Sequence, residues 1–169
     1  MRAVKELFKF MMPVKVVNSV RSKINHNKIR ARNSYDEFKE EEFENLLTNI
    51  LSLKEGDNIF LHSSLDYLHL SFDPNRLLQM LIEKVGTSGT IVMPSFSGLS
   101  YDFLKTGRTF NLNRTPSQSG LLSELFRRKK DTVRSLHPTK SVVALGPLAE
   151  YLTNSHHEEI YPFGSKSPF

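Results

Sequence analysis

The feature that most constrains the fold is a repeated change of period along the chain. Apolar residues at helical spacing give way three times to short, unbroken apolar runs. Phe43, Leu46, Leu47, Ile50 and Leu51 fall on one helical face over about 36–53, as do Leu77, Leu78, Leu81, Ile82 and Val85 further on. Between and after them lie Asn58-Ile59-Phe60-Leu61, Gly89-Thr90-Ile91-Val92-Met93-Pro94 and Ser141-Val142-Val143-Ala144-Leu145-Gly146. Continuous runs without polar alternation read as strands covered on both faces. Helices alternating with such strands predict an α/β layered sandwich, a buried mixed sheet flanked by helices.

Punctuation supports the same division. Ser34 and Glu37 have the spacing of a capping box, and Glu55-Gly56-Asp57 is a stop and turn. Asp73-Pro74 is an N-cap followed by proline in the first turn, with Gly86 as the matching C-cap. Thr115-Pro116 predicts a third helix by the same logic, carrying Leu121, Leu122, Leu125 and Phe126 and closing on Arg127-Arg128-Lys129-Lys130, where cations suit the helix dipole. Residues 95–114 read as a long loop, 147–153 as a short helix, and the rest as loop.

The net charge of +5 is concentrated at one end. Nine of the Lys and Arg residues stand within residues 1–34, against Glu6 alone, so the sequence divides into a basic extension, 1–33, and a near-neutral body, 34–169. Val4, Leu7, Phe8 and Met11 form one face of a short basic helix, giving residues 1–12 a weak membrane-surface reading; a disordered basic extension is the alternative. No run of about 18 apolar residues suggests a membrane span. The apolar N-terminal residues are too interrupted by charge for a secretory signal. With no cysteine there are no disulfides or thiolate metal sites, which fits a cytoplasmic protein.

Four places could carry chemistry. His62-Ser63-Ser64 opens from the C-terminal end of a strand, where open α/β sheets put ligands; a strand end bonded to its own turn is the plainer reading. Thr115-Pro116-Ser117-Gln118-Ser119-Gly120 offers hydroxyls and amides at a helix start, which suits an anion or an ordinary cap, without the spacing of a P-loop. His137 before Pro138 is held extended and could aim an imidazole into a cleft, or be bonded structurally. His156-His157-Glu158-Glu159 lacks the i, i+4 spacing of metal ligands, so no metal is expected.

Taken in order, HSSL after a buried strand, GTIVMPSFS, TPSQSGLLSELFRR, RSLHPTKSVVALGPLAEYL and PFGSKSP resemble the aminoglycoside 3-N-acetyltransferases and the wider antibiotic N-acetyltransferase family over Ser34 to Phe169. The resemblance implies transfer of acetyl from acetyl-CoA, without a metal, to an amine of a small aminoglycoside or amino sugar. It implies that His62, Ser63, Ser64, Leu65, Thr115, Pro116 and Ser117 line the CoA site, and that His137 and Ser141 lie toward the acceptor in the same cleft. In the family a further buried strand and a T-x-x-H-x-x-E motif follow the PFG..SP segment, so the catalytic base is expected beyond Phe169. An unpaired sheet edge and exposed apolar surface are expected in turn.

Three functional readings follow. The first is an acetyl-CoA-dependent N-acetyltransferase, with antibiotic resistance or surface-glycan synthesis as its setting. The second is a non-catalytic fragment that retains CoA binding. The third, a nucleic-acid-binding protein led by its basic tail, ranks last because the body has no nucleic-acid motif, and no nucleic-acid partner is expected.

Overall fold

The computed structural model describes residues 23–25, 27, 29, 35–65, 68–98, 109–161 and 163–169. By Cα packing, Phe38–Leu65 with Leu70–Phe169 form one unit and Met1–Glu37 with Asp66–His69 another. In the latter, His69 Nδ1 lies 3.2 Å from the Tyr35 carbonyl oxygen.

Helix α1 (Glu40–Asn45) passes into a π turn, Leu46–Ile50. It starts later than the apolar periodicity suggests: residues 36–39 are not helical, and Phe38 forms an isolated bridge with Leu70. The reason is electrostatic and local. Glu40, Glu41 and Glu42 fill the first turn, where carboxylates suit the helix dipole, and Glu42 accepts the Lys39 N–H at 2.8 Å. Ser34, the expected cap, lies outside the described residues. Helix α2 (Pro74–Val85) begins as its sequence dictates, with Asp73 Oδ1 accepting the Asn75 N–H at 2.6 Å, and ends at Gly86 with φ +65°.

Four strands form one mixed sheet: β1 (Asn58–Phe60), β2 (Thr90–Pro94), β3 (Val133–Arg134) and β4 (Val142–Leu145), in the order β1-β2-β4-β3. β1 and β2 are parallel, joined through α2 as a parallel pair requires, and both remaining pairs are antiparallel. β2 is buried throughout and β4 nearly so. β1 departs from expectation: it is a short edge strand, with Phe60 38% exposed, not a strand buried on both faces. The Leu61 N–H still bonds the Val92 carbonyl at 2.8 Å, after which His62–Leu65 leave the sheet. β3, the opposite edge, spans two residues and has too little length for any periodic pattern.

The sheet separates two apolar layers. Ile91, Met93 and Val143 join Leu47, Leu78, Leu122 and Phe126 on the side of α1, α2 and α3 (Leu121–Arg127). Val92, Val142 and Ala144 pack on the other side with Ala149 and Leu152 of α4 (Ala149–Asn154), Val133 and Phe169. Alternate residues of β2 and β4 thus serve opposite layers, which gives the expected sandwich. Outside it, Ile160, Tyr161 and Phe163 are exposed. Where β4 ends against the start of β2, only glycine fits: Gly146 has φ +122°, and a Cβ there would stand 2.2 Å from the Gly89 carbonyl oxygen.

The third helix also differs from expectation. It begins at Leu121, capped by Gly120 at φ +111°, not at Thr115. The intervening amides are engaged elsewhere: the Thr115 N–H bonds Asn111 O at 2.9 Å and the Gln118 N–H bonds Phe96 O at 2.6 Å. Residues 115–120 therefore form a loop fastened to the end of β2. No described helix is long and apolar enough to cross a membrane.

Candidate functional site

The parallel pair β1–β2 delivers two chain segments to one end of the sheet. His62, Ser63 and Ser64 leave β1 beside Pro94 and Phe96 at the end of β2, and Ser119 and Ser123 close the opposite wall, leaving a cleft of about 420 Å³. His62 stacks on Phe60 with ring centroids 4.9 Å apart. Ser119 Oγ accepts the Phe96 N–H at 2.8 Å, tying that wall to β2. Gly120, at φ +111°, lies beside the Ser63 carbonyl, whose oxygen would be 3.6 Å from a Cβ there. Leu65 turns back into the core beneath α2.

Thr115, Pro116 and Ser117 stand behind this wall. Thr115 Oγ1 accepts the Asn111 N–H at 2.9 Å. The Ser117 N–H donates to Glu124 Oε2 at 2.7 Å, and its Oγ accepts the Ser119 N–H at 3.2 Å. These groups shape the loop, while Ser119 and Ser123 present hydroxyls to the cleft. The sequence includes Ser119 among the hydroxyls of the helix start read over 115–120, but it does not mark Ser123, which that helix would have placed on one of its faces. Glu124 is the loop's electrostatic anchor. Arg127 first, then the Ser117 N–H and Arg128, hold its carboxyl at about 2.

Arg134 braces the same loop from below. From the buried edge strand β3 its guanidinium donates to Ser95 O (2.6 Å), Leu112 O (3.2 Å), Thr115 O (2.5 Å) and Ser141 Oγ (3.2 Å), and it lies over the Phe110 ring. Burial pulls it down to about 10, so it remains a cation at neutral pH. Ser141 in turn donates to Ser95 O at 2.5 Å. The structure therefore links Ser141 to Thr115 through one side chain, a relation that spans distant sequence.

His137 is buried. Its Nδ1 accepts the Lys140 N–H at 3.0 Å and the Thr139 N–H at 3.3 Å, and the ring also bonds backbone of Glu159. Burial lowers its pKa, which keeps it neutral. Its ring packs 4.7 Å from that of His156, which is 0% exposed and bonds Ser135 Oγ through Nδ1 at 2.8 Å. Burial, then the neighbouring His137, pushes His156 down to about 4. Both imidazoles hold loops together.

Thr153-Asn154-Ser155-His156-His157-Glu158-Glu159 has T-x-x-H-x-x-E spacing, a match that sequence reasoning missed. It precedes the PFG..SP segment and does not follow it, and its histidine is sealed inside the protein. The string is thus structural. Glu158 pairs with Lys166, Glu159 accepts the Lys166 N–H at 2.8 Å, and His157 bonds Asn154 O. Among the described residues no three His, Cys, Asp or Glu side chains converge on a metal position.

The family model for aminoglycoside 3-N-acetyltransferases matches residues 60–169. A prophage-derived aminoglycoside N(3')-acetyltransferase-like protein, YokD of Bacillus subtilis, is 33% identical over 137 residues, 70% of this chain and 50% of that protein. The crystal structure of aminoglycoside acetyltransferase AAC(3)-IVa as apoenzyme superposes with a TM-score of 0.66 at 31% identity, covering 78% of this chain and 49% of that one. The binary complex of AAC-IIIb with CoASH does so with a TM-score of 0.63 at 25% identity, over 79% and 55%. The chain spans about half the length of the curated relatives it matches.

Proposed function

The chain belongs to the aminoglycoside 3-N-acetyltransferase family, and on that premise we propose that it serves acetyl-CoA-dependent N-acetylation of an aminoglycoside or amino sugar. The observation that carries this reading is the cleft at the C-terminal end of β1 and β2. Ser63, Ser64, Ser119 and Ser123 line it with hydroxyls beside the His62 and Phe96 rings. Such a wall suits the alternating amides and methylenes of a pantetheine arm, and the position is where parallel strands receive ligands.

In direct transfer the acceptor nitrogen attacks the thioester carbonyl, the new C–N bond replaces the C–S bond, and CoA leaves as the thiolate. The nitrogen must shed a proton, and a positioned base is worth about 10²–10⁴ in rate. His137 and His156 are neutral but engaged in internal hydrogen bonds, so neither takes that role. The resemblance assigns the base to the T-x-x-H-x-x-E segment that follows PFG..SP in family members. Here Thr115, Pro116 and Ser117 support the loop against the CoA, while His137 and Ser141 fix the floor on the acceptor side.

Calorimetry with CoA, then acetyl-CoA turnover against kanamycin-type drugs and nucleotide-linked amino sugars, tests the proposal. The absence of cysteine leaves no protein thiol to obscure a thiol-release assay. CoA heat with a saturating isotherm is expected. Its absence would remove the acetyl-CoA reading, and turnover of amino sugars alone would remove the resistance role.

A further inference from the structure

Phe169 is not among the residues lining the cleft at the end of β1 and β2, yet it is in contact with both of that cleft's aromatic corners. Its ring centroid is 5.2 Å from that of Phe60 and 5.9 Å from that of Phe96, at interplanar angles of 50° and 41°. Phe96 lines the cleft directly. Phe60 acts through His62, whose ring stacks on it at 4.9 Å and 24°. Tilted rings at such separations attract through their quadrupoles, so each contact fixes an orientation as well as a distance.

The two corners come from different strands, and among the described residues Phe169 is the ring that pairs with both. Phe60 needs such a partner, because it stands 38% exposed on a three-residue edge strand. Phe96 also carries the Lys140 ammonium 4.6 Å from its centroid, so its tilt places that cation too. Phe169 itself has a firm base. It packs with Val92, Val142 and Ala144 of the sheet, and its N–H donates to Ser167 Oγ at 3.1 Å. Its ring lies 6.0 Å from that of His156, which is fully buried and held by Ser135.

We propose that Phe169 is a positioning residue for this cleft. By pairing with Phe60 and Phe96 it sets how the His62 and Phe96 rings stand, and so how closely a ligand can lie against them. That the ligand is CoA rests on the acetyl-CoA reading above; the setting of the rings does not. Phe169 lines no part of the cleft, so its effect falls on binding and not on a chemical step.

The test compares the full chain with Phe169→Leu, which keeps apolar bulk without a ring, and Phe169→Tyr, which keeps the ring. Val133→Ala trims the same apolar layer from β3, the opposite edge of the sheet, and serves as the structural control. Two readouts are taken: the NMR signals of the His62 ring, identified by their loss in His62→Gln, and calorimetry with pantetheine and CoA. Phe169→Leu is expected to move the His62 signals and to weaken both ligands about three- to tenfold. Phe169→Tyr should restore both readouts, and Val133→Ala should change neither. Phe60→Leu breaks the same chain of rings at its exposed end and should reproduce the loss of affinity. Unmoved His62 signals in Phe169→Leu, or equal weakening by Val133→Ala, overturns the proposal. Moved signals with full ligand affinity overturn it as well, since the rings would then not set the fit. If the wild type binds neither ligand while the His62 signals move in Phe169→Leu and return in Phe169→Tyr, the setting of the rings stands and the acetyl-CoA reading falls.

Discussion

Ser135 Oγ and His156 Nδ1 are 2.8 Å apart, and the same hydroxyl accepts the Val142 N–H at 2.9 Å. One serine thus joins the end of β3, the start of β4 and the turn after α4. A hydroxyl can accept two hydrogen bonds and donate one, so the link to Nδ1 holds with the ring proton on either nitrogen, and burial keeps His156 neutral near pH 7.

Removing that hydroxyl should cost stability out of proportion to its size. Ser135→Ala strands a buried N–H and a buried ring nitrogen, each worth about 1–3 kcal/mol when left unmade. A fall of roughly 2 kcal/mol or more in urea-unfolding free energy is expected. A change within about 0.5 kcal/mol would show that the network relaxes around water.

Stability should fall as pH falls from about 6.5 toward 4. His156 is pushed down to about 4 in the folded chain, against an ordinary 6.5, and burial lowers His137 as well. Above the ordinary value both folded and unfolded chains are neutral there, and the stability is fully present. Below it the unfolded chain takes up protons that the folded chain refuses, so unfolding is favoured by up to about 1.4 kcal/mol per pH unit for each such group. Chemical unfolding from pH 7 to 4.5 measures the slope, and His156→Asn should flatten it; an unchanged slope in that variant would reject the assignment.

Arg134→Lys should loosen the site without dismantling the core. A single ammonium cannot serve Ser95 O, Leu112 O, Thr115 O and Ser141 Oγ together. Amide exchange should rise by an order of magnitude or more over 111–118, while α2 and β2 retain their protection, and CoA affinity should drop with it. Uniform exchange across the chain would instead indicate global destabilisation.

Gly146→Ala tests the packing at the other end of the sheet. The new Cβ would meet the Gly89 carbonyl at 2.2 Å in a backbone region that L residues rarely adopt. A loss of about 2–4 kcal/mol is expected, since neither the sheet backbone nor the φ angle can yield cheaply. Gly56→Ala shares a positive φ but would meet only Ser88 Oγ at 3.6 Å, an ordinary contact, and should cost less.

Much of this architecture is written locally. Asp73-Pro74 fixes a helix start with its own side chain, and the unbroken run of β2 can be covered only by two layers. Thr115-Pro116 fails as a helix start for an equally physical reason: its amides bond Asn111 and Phe96, partners that no local rule anticipates. Ser119 reads as part of that helix start, and Ser123 is not marked at all. β1 is mistaken for a buried strand because composition does not show whether a strand is central or at an edge.

The sequence alone determined the alternation of helices and strands, the two caps that hold α2, the charge asymmetry and the family, since each rests on residues adjacent in the chain. Only the tertiary structure decided what the hydroxyls and cations do. Arg134 finds Thr115 across 19 residues and Ser95 across 39, and His156 meets Ser135 across 21. Those encounters exist because sheet order, not chain order, sets which ends of β2, β3 and β4 come together. A side chain's hydrogen-bond partners, and with them its charge state and its availability to a ligand, follow from that placement.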